Sequence, residues 1–327
     1  HERMVMASKR RWGWLWLVVL SSIAWAQTGA YPSKPIRILV TTPAGSGADF
    51  FARTLAQGLS DTYKGVAPLV ENRPGAGGII GAREVANAAA DGYTLGVAST
   101  AHVVAPLLQA NPPYRPLADF TPIAQLTALP FILVVAPTVP SKSLSEFVSL
   151  LKANPKKYNF GSLGNGTAAH LGAEIFNSAA NVDVVHVPFK SASDLFTALI
   201  AGEVHYAALF VPTAGVMRSG KARVLAVTGK TRNPALPDVP TVSEQGLPGA
   251  ETEAMMGIVG PAGLSPEVVK KLHEDIVAVL RKPETREKFA LQSGEPTPEV
   301  SSQDYAAKLK AELDLYQRLL PRIGLKP

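Results

Sequence analysis

From residue 36 onward the chain alternates short apolar runs with stretches of helical periodicity, the pattern of α/β units built on a mainly parallel sheet. The run 36–40 predicts a strand, Pro43-Ala44-Gly45-Ser46-Gly47 a turn, and 48–59 a helix with Phe51, Leu55 and Leu59 on one face. The unit recurs as a strand over 66–71, the turn Pro74-Gly75-Ala76-Gly77-Gly78 and a helix over 79–89. A third strand over 93–98 ends in a small polar loop, Ser99-Thr100-Ala101-His102.

The middle of the chain repeats this grammar. A buried strand is predicted over 132–136, and Ser143-x-x-Glu146 is a capping box opening a helix whose Leu144, Phe147, Val148 and Leu151 share a face. Residues 158–161 lead into Ser162-Leu163-Gly164-Asn165-Gly166-Thr167 and then a helix carrying Leu171, Ile175 and Phe176. Residues 184–187 lead into Pro188-Phe189-Lys190-Ser191 and a helix over 194–201. Further strands are predicted over 204–210, 224–227 and 255–259, with a proline-rich loop over 233–248 before the last of them. Ser265-Pro266 supplies an N-cap and a first-turn proline, and a final amphipathic helix is expected over 304–320. No short-period repeat is visible.

The first thirty residues are of another kind. Lys9, Arg10 and Arg11 precede an apolar run over 12–24 and the small-x-small site Ala24-Trp25-Ala26, the layout of a secretory signal peptide cleaved before Gln27. The run is shorter than the roughly 20 residues a bilayer-spanning helix needs. Beyond that 1–26 leader the chain carries 28 bases and 25 acids, scattered and without aromatic interleaving, so no nucleic-acid stripe is present. The absence of cysteine in 327 residues excludes disulfides, thiolate catalysis and Cys-ligated metal. At 46% hydrophobic and 18% charged, the chain can bury the cores of about two domains.

The recurring strand, small-residue loop and helix start carries the chemistry. Such loops sit at the carboxyl edge of a sheet, where free amides and the helix dipole favour an anion. The candidate contacts are Thr42, Pro43, Ala44, Gly45, Ser46 and Gly47 in the first loop, and Ser99, Thr100 and His102 after the third strand. From the later loops come Ser162, Asn165, Gly166, Thr167 and His170, then Lys190 and Ser191, then Phe210 with Thr213 beyond it. Each has a plainer alternative: Ser46 and Thr167 as helix caps, the histidines as core residues, Lys190 in solvent and Phe210 as core filler. Asp49 would repel an anion. Gly75-x-Gly77-x-x-x-Gly81 misses the dinucleotide spacing, so no cofactor is expected. No Gly-x-Ser-x-Gly elbow or His-Glu-x-x-His is present, and His102, His170, His186, His205 and His273 are dispersed, so neither catalysis nor a metal site is expected.

Several ordered motifs resemble a known family. They are Tyr31-Pro32-Ser33-Lys34-Pro35-Ile36, Val70-Glu71-Asn72-Arg73-Pro74-Gly75-Ala76-Gly77-Gly78, Asp91-Gly92-Tyr93-Thr94-Leu95, Asp119-Phe120-Thr121-Pro122-Ile123, Gly161-Ser162 through His170-Leu171, and Leu236-Pro237-Asp238-Val239-Pro240-Thr241. Together they are similar to the Bug-type solute-binding proteins of tripartite tricarboxylate transporters. The resemblance implies a type II periplasmic binding-protein fold: two α/β lobes, two crossing hinge strands and a ligand between the lobes. On our reading the crossings fall near 125–131 and 253–258, giving lobe one as 31–128 plus 256–327 and lobe two as 129–255. The resemblance further implies a periplasmic, monomeric, non-enzymatic receptor that holds an aliphatic or aromatic di- or tricarboxylate through loop amides, hydroxyls and waters, then passes it to a two-component permease. Two loops depart from the family pattern. The first reads Thr41-Thr42-Pro43-Ala44-Gly45-Ser46-Gly47 where an aromatic and Pro-Pro-Gly-Gly are usual, and Lys190-Ser191 stands where Lys-Gly is usual. The alternatives are a secreted α/β hydrolase using Ser and His from different loops, and a binding protein feeding a sensor kinase.

Overall fold

The computed structural model describes residues 31–210, 221–292, 294–325 and 327. The leader and Thr213 lie outside them. Among the described residues one hydrogen-bonded sheet runs in the order β2 (Leu69–Asn72), β1 (Arg37–Val40), β3 (Thr94–Ser99), β9 (Glu253–Pro261), β4 (Phe120–Val135), β7 (Tyr206–Phe210), β5 (Asn159–Ser162) and β6 (Val185–Pro188). The short β8 (Arg223–Val227) and β10 (Glu295–Pro296) also pair with β4.

β4 is what makes two lobes from one sheet. Its first part, Phe120 to Pro130, pairs antiparallel with β9, and its second part, Phe131 to Val135, pairs with β7 and β8. β9 is the second crossing strand, entered from β8 through the segment after Val227. Thr228 stitches this junction: its hydroxyl accepts from the Phe131 amide at 2.9 Å and donates to the Thr252 carbonyl at 2.6 Å. The result is two α/β lobes joined by crossing strands, a type II periplasmic binding-protein fold.

In lobe one, α1 (Gly47–Thr62), α7 (Pro266–Leu280) and α8 (Pro283–Leu291) cover one sheet face, while α2 (Ile79–Ala86), α3 (Thr100–Leu107) and α9 (Ser302–Arg322) cover the other. The predicted stripe of α1 is the buried one: Phe51, Leu55 and Leu59 are each 1% exposed and pack in one core with Leu272, Ile276 and Val279 of α7. Burial on this scale is worth roughly 1.5–3 kcal/mol per large side chain. α9 lies so close to β9 that a Cβ on Gly257 would sit 2.4 Å from the Tyr305 ring. In lobe two, α4 (Leu144–Ala153), α5 (Ala168–Ala180) and α6 (Ala192–Ala201) flank β5 to β8.

Most predicted elements stand within a few residues of their expected ends. Ser143 caps α4, accepting from the Glu146 amide, but the reciprocal Glu146 carboxylate takes the Lys142 amide at 2.7 Å, one residue before the expected partner. Two helices were not foreseen. α3 occupies what reads as a polar loop, because β-branched residues and an internal Pro106 weaken its helical signal. α8 has almost no apolar stripe and buries only Thr285 and Phe289. Among the described residues, no helix is long and apolar enough to cross a membrane.

Candidate functional site

Strand direction places the loops. β1, β2 and β3 run parallel to one another and antiparallel to β9, hence in the same sense as β4. β7 runs antiparallel to β4, and β5 and β6 run with β7. The carboxyl ends of the two sets therefore face each other across the junction near Thr127 to Phe131. Register agrees, since Ser99 at the end of β3 pairs with Met256, which pairs with Thr127, and Phe210 at the end of β7 pairs with Phe131. The starts of α1 and α3 in lobe one thus oppose the starts of α5 and α6 in lobe two.

The lobe-one loop is held by a buried carboxylate. Ser46 caps α1 by accepting the Asp49 amide, and its hydroxyl meets Thr42 Oγ1 at 2.6 Å. Asp49, 4% exposed, accepts the Gly45 amide at 2.9 Å, Arg53 Nε at 3.1 Å and Asn72 Nδ2 at 3.0 Å. Asn72 in turn donates to the Thr42 carbonyl and accepts from Arg53. Burial alone would raise the Asp49 carboxyl, yet Arg53, the Gly45 amide and Asn72 together hold it below the ordinary carboxylate range. Pro43, Ala44 and Gly45 are exposed at the tip, and Gly45 takes the left-handed φ of +81° that closes the turn. The cap leaves the Gly47 and Ala48 amides without an intrahelical partner.

The lobe-two loop is held by neutral groups. Thr167 caps α5, accepting from the His170 amide and donating to the Gly164 carbonyl at 2.8 Å. Ser162 is fully buried and accepts the Gly164 amide at 3.1 Å, with His186 Nε2 at 2.7 Å from the same hydroxyl. His170, 2% exposed, accepts the Gly166 amide on Nδ1 at 3.1 Å. Gly166 is itself tight against lobe one, where a Cβ would stand 3.1 Å from Leu108. Asn165 is exposed at the tip, and the Ala168 and Ala169 amides are the uncapped ones.

The other expected site residues fall differently. His102 is buried in lobe one, bonded to the Pro116 carbonyl at 2.9 Å and packed on Tyr114 and Phe120; burial, opposed by that bond, pushes it down to about 4. Thr100 is 5% exposed, whereas Ser99 is half-buried and makes no capping bond. Ser191 caps α6 and also bonds the Asp194 carboxylate at 2.7 Å, so its hydroxyl is committed; Lys190 beside it is exposed. Phe210 is half-buried and stacks on Phe131 at 4.8 Å. The sequence reading missed the bracing roles of Asp49, Asn72 and His186. Parallel pairing of two strands that each end in a loop was the available signal for His186, because it aligns Phe160 with His186 and Ser162 with Pro188.

A separate cavity of about 320 Å³ lies between the crossing segments and α9, lined by Thr228, Glu253, Lys308, Glu312 and Tyr316 but by none of the loop residues above. Both Glu312 oxygens are buried without a partner among the described residues, and burial pushes this carboxyl up to about 8. Among the described residues no cluster of His, Asp or Glu is placed to hold a metal ion. The arrangement offers amide donors on both sides of a gap, with no arginine in either loop.

Comparison with known proteins bears directly on this architecture. Residues 51–325 match the model of the tripartite tricarboxylate transporter family receptor, TctC. The chain is 33% identical to Protein BugT of Bordetella pertussis, over 81% of this chain and 82% of BugT. Two solved structures from Rhodopseudomonas palustris are similar throughout. Rpa4515 with adipate has 29% identity and a TM-score of 0.73, covering 91% of this chain and 99% of that one. MatC with bound malate has 30% identity and a TM-score of 0.70, covering 89% and 100%. The crossing-strand fold and these matches agree, and the chain belongs to the TctC/Bug family of periplasmic, non-catalytic solute receptors of tripartite tricarboxylate transporters.

Proposed function

We propose that the protein captures a small dicarboxylate between its lobes and delivers it to a two-component membrane permease. The observation that carries this reading is the opposition of uncapped helix amides: Gly47 and Ala48 at the start of α1, and Ala168 and Ala169 at the start of α5. Each start presents the positive end of a helix dipole to the gap. Ser99 and the exposed tip of 42–47 add donors in lobe one, and 162–167, Lys190 and Ser191 line the opposite side. The lobe boundaries fall at the crossings, near 125–131 and 253–258.

Support for a dicarboxylate comes from the relatives that hold adipate and malate, each about 30% identical to this chain. The hydroxyls of Ser46, Ser162 and Thr167 are engaged within their own loops. We therefore assign them to shaping the amide cradles, with waters completing the ligand's shell. A thermal-shift screen with malate, adipate, citrate and benzoate tests the reading. Ligand at 100 times its dissociation constant should add about 2.7 kcal/mol of stability. No shift with any carboxylate would overturn it, and unchanged dicarboxylate uptake in cells lacking the protein would overturn the delivery step.

A further inference from the structure

His170 and His186 are stacked face to face with ring centroids 3.9 Å apart and planes 23° apart. One ring comes from the first turn of α5 and the other from β6, and Phe160 of β5 stacks on both. Each ring is bonded to the same loop, His170 to the Gly166 amide and His186 to the Ser162 hydroxyl that holds the Gly164 amide.

We propose that His170 and His186 are positioning residues that hold the 162–167 loop in its ligand-binding shape only while both imidazoles are neutral, so that acidification releases the loop and the ligand. This rests on the carboxylate-receptor reading for its ligand consequence, but the effect on the loop stands by itself.

The hydrogen-bond chemistry fixes the direction. His170 Nδ1 accepts an N–H, so that nitrogen carries no proton in this arrangement. Protonating it would set a donor against a donor and break the Gly166 contact. A proton on either ring also places a cation against its stacked neighbour, and two would repel at 3.9 Å. Among the described residues, few groups face the pair. On α5, Glu174 Oε1 lies 3.7 Å from His170 Nε2; on β7, Tyr206 is fully buried and bonded to Asn177 of α5. β5 contributes only Phe160 and Ser162 to the contact. For His186, burial and then the adjacent His170 outweigh Glu174 and push the ring down to about 4. Its ordinary value near 6.5 makes acid conditions the relevant range.

The test uses two measurements on the folded protein. Adipate affinity by calorimetry from pH 7.5 to 4.5 should fall in the wild type by more than adipate's own titration accounts for. The variants His170→Asn and His186→Gln keep a hydrogen-bonding group and cannot take up the proton. Their affinities, each referred to its own value at pH 7.5, should show a flattened acid limb, whereas His170→Phe, which keeps the stack but not the acceptor, should be weak across the whole range. Adipate's own titration is common to all four proteins. An acid limb that persists unchanged in the Asn and Gln variants overturns the proposal. Hydrogen exchange of the Gly164 and Gly166 amides provides the second readout, independent of ligand. Protection there, after correction for the intrinsic slowing of exchange in acid, should fall on acidification in the wild type but not in the Asn and Gln variants. Equal behaviour overturns the proposal even if no carboxylate binds, an outcome that would count separately against the receptor reading.

Discussion

The two loops proposed to hold the ligand are built alike but braced with opposite electrostatics. Each follows a parallel strand, each is closed by a hydroxyl cap, Ser46 or Thr167, and each leaves two amides facing the gap. The lobe-one loop is tied by a buried carboxylate with an arginine and an asparagine around it, the lobe-two loop by a serine and two neutral imidazoles. The fold repeats the geometry of the donors, and the bracing chemistry sets how each half responds to mutation and to acid. Asp49 also shows how an acid could sit beside the proposed anion site. Its charge is spent on Arg53, Asn72 and the Gly45 amide.

The largest expected effect breaks the charged brace. Asp49→Ala leaves Arg53, Asn72 and the Gly45 amide without their shared acceptor, and should cost about 2–4 kcal/mol in chemical denaturation together with ligand binding. A variant within about 0.5 kcal/mol of wild type would show that the network is ornamental. Next come the caps: Ser46→Ala and Thr167→Ala should each lose about 1 kcal/mol of stability. Thr167→Ala should also weaken carboxylate binding by up to roughly tenfold, because about 1.4 kcal/mol is a decade. Equal affinity losses for the two caps would mean the lobes contribute equally; a loss confined to one identifies the half that holds the ligand.

Acid should separate the lobes. The His186 pKa is lowered to about 4 in the folded protein, so its contribution is present at neutral pH and is lost as pH falls from near 6.5 toward 4. That loss is at most about 2 kcal/mol, since solvent reaches part of the ring. Asp49 is also lowered, so its contribution persists until the pH drops below the ordinary carboxylate range and through its folded value. Hydrogen exchange followed from pH 7 to 4 should show lobe two loosening first, and the reverse order would contradict both assignments. The smallest effect belongs to Lys190→Ala. This exposed side chain should change stability by less than about 0.5 kcal/mol.

Much of this was legible in the sequence because it depends on local rules. Alternating strands and helices, the caps at Ser46, Ser143, Thr167 and Ser265, and the glycine turns all follow from residue type and spacing. What escaped depends on contacts distant in sequence. β4 is one 16-residue strand because its two halves find different partners, and only the most apolar stretch announces itself. His102, read as a candidate contact, has its ring turned to the Pro116 carbonyl fourteen residues on. His186, read as dispersed, meets Ser162 across 24 residues. Hydroxyls read as donors for a ligand are engaged by their own loops, a distinction that residue type cannot make.

The central claim, that amide cradles on opposing helix starts hold the ligand with little help from charge, is tested most directly by calorimetric titration. Malate and adipate should be titrated into the wild type, the Ser46→Ala/Thr167→Ala double variant and Lys190→Ala at neutral pH. The wild type should bind one ligand, the double variant should bind at least about tenfold more weakly, and Lys190→Ala should stay within about threefold of wild type. If Lys190→Ala abolishes binding while the double variant is silent, an ion pair holds the ligand and the opposed amides do not.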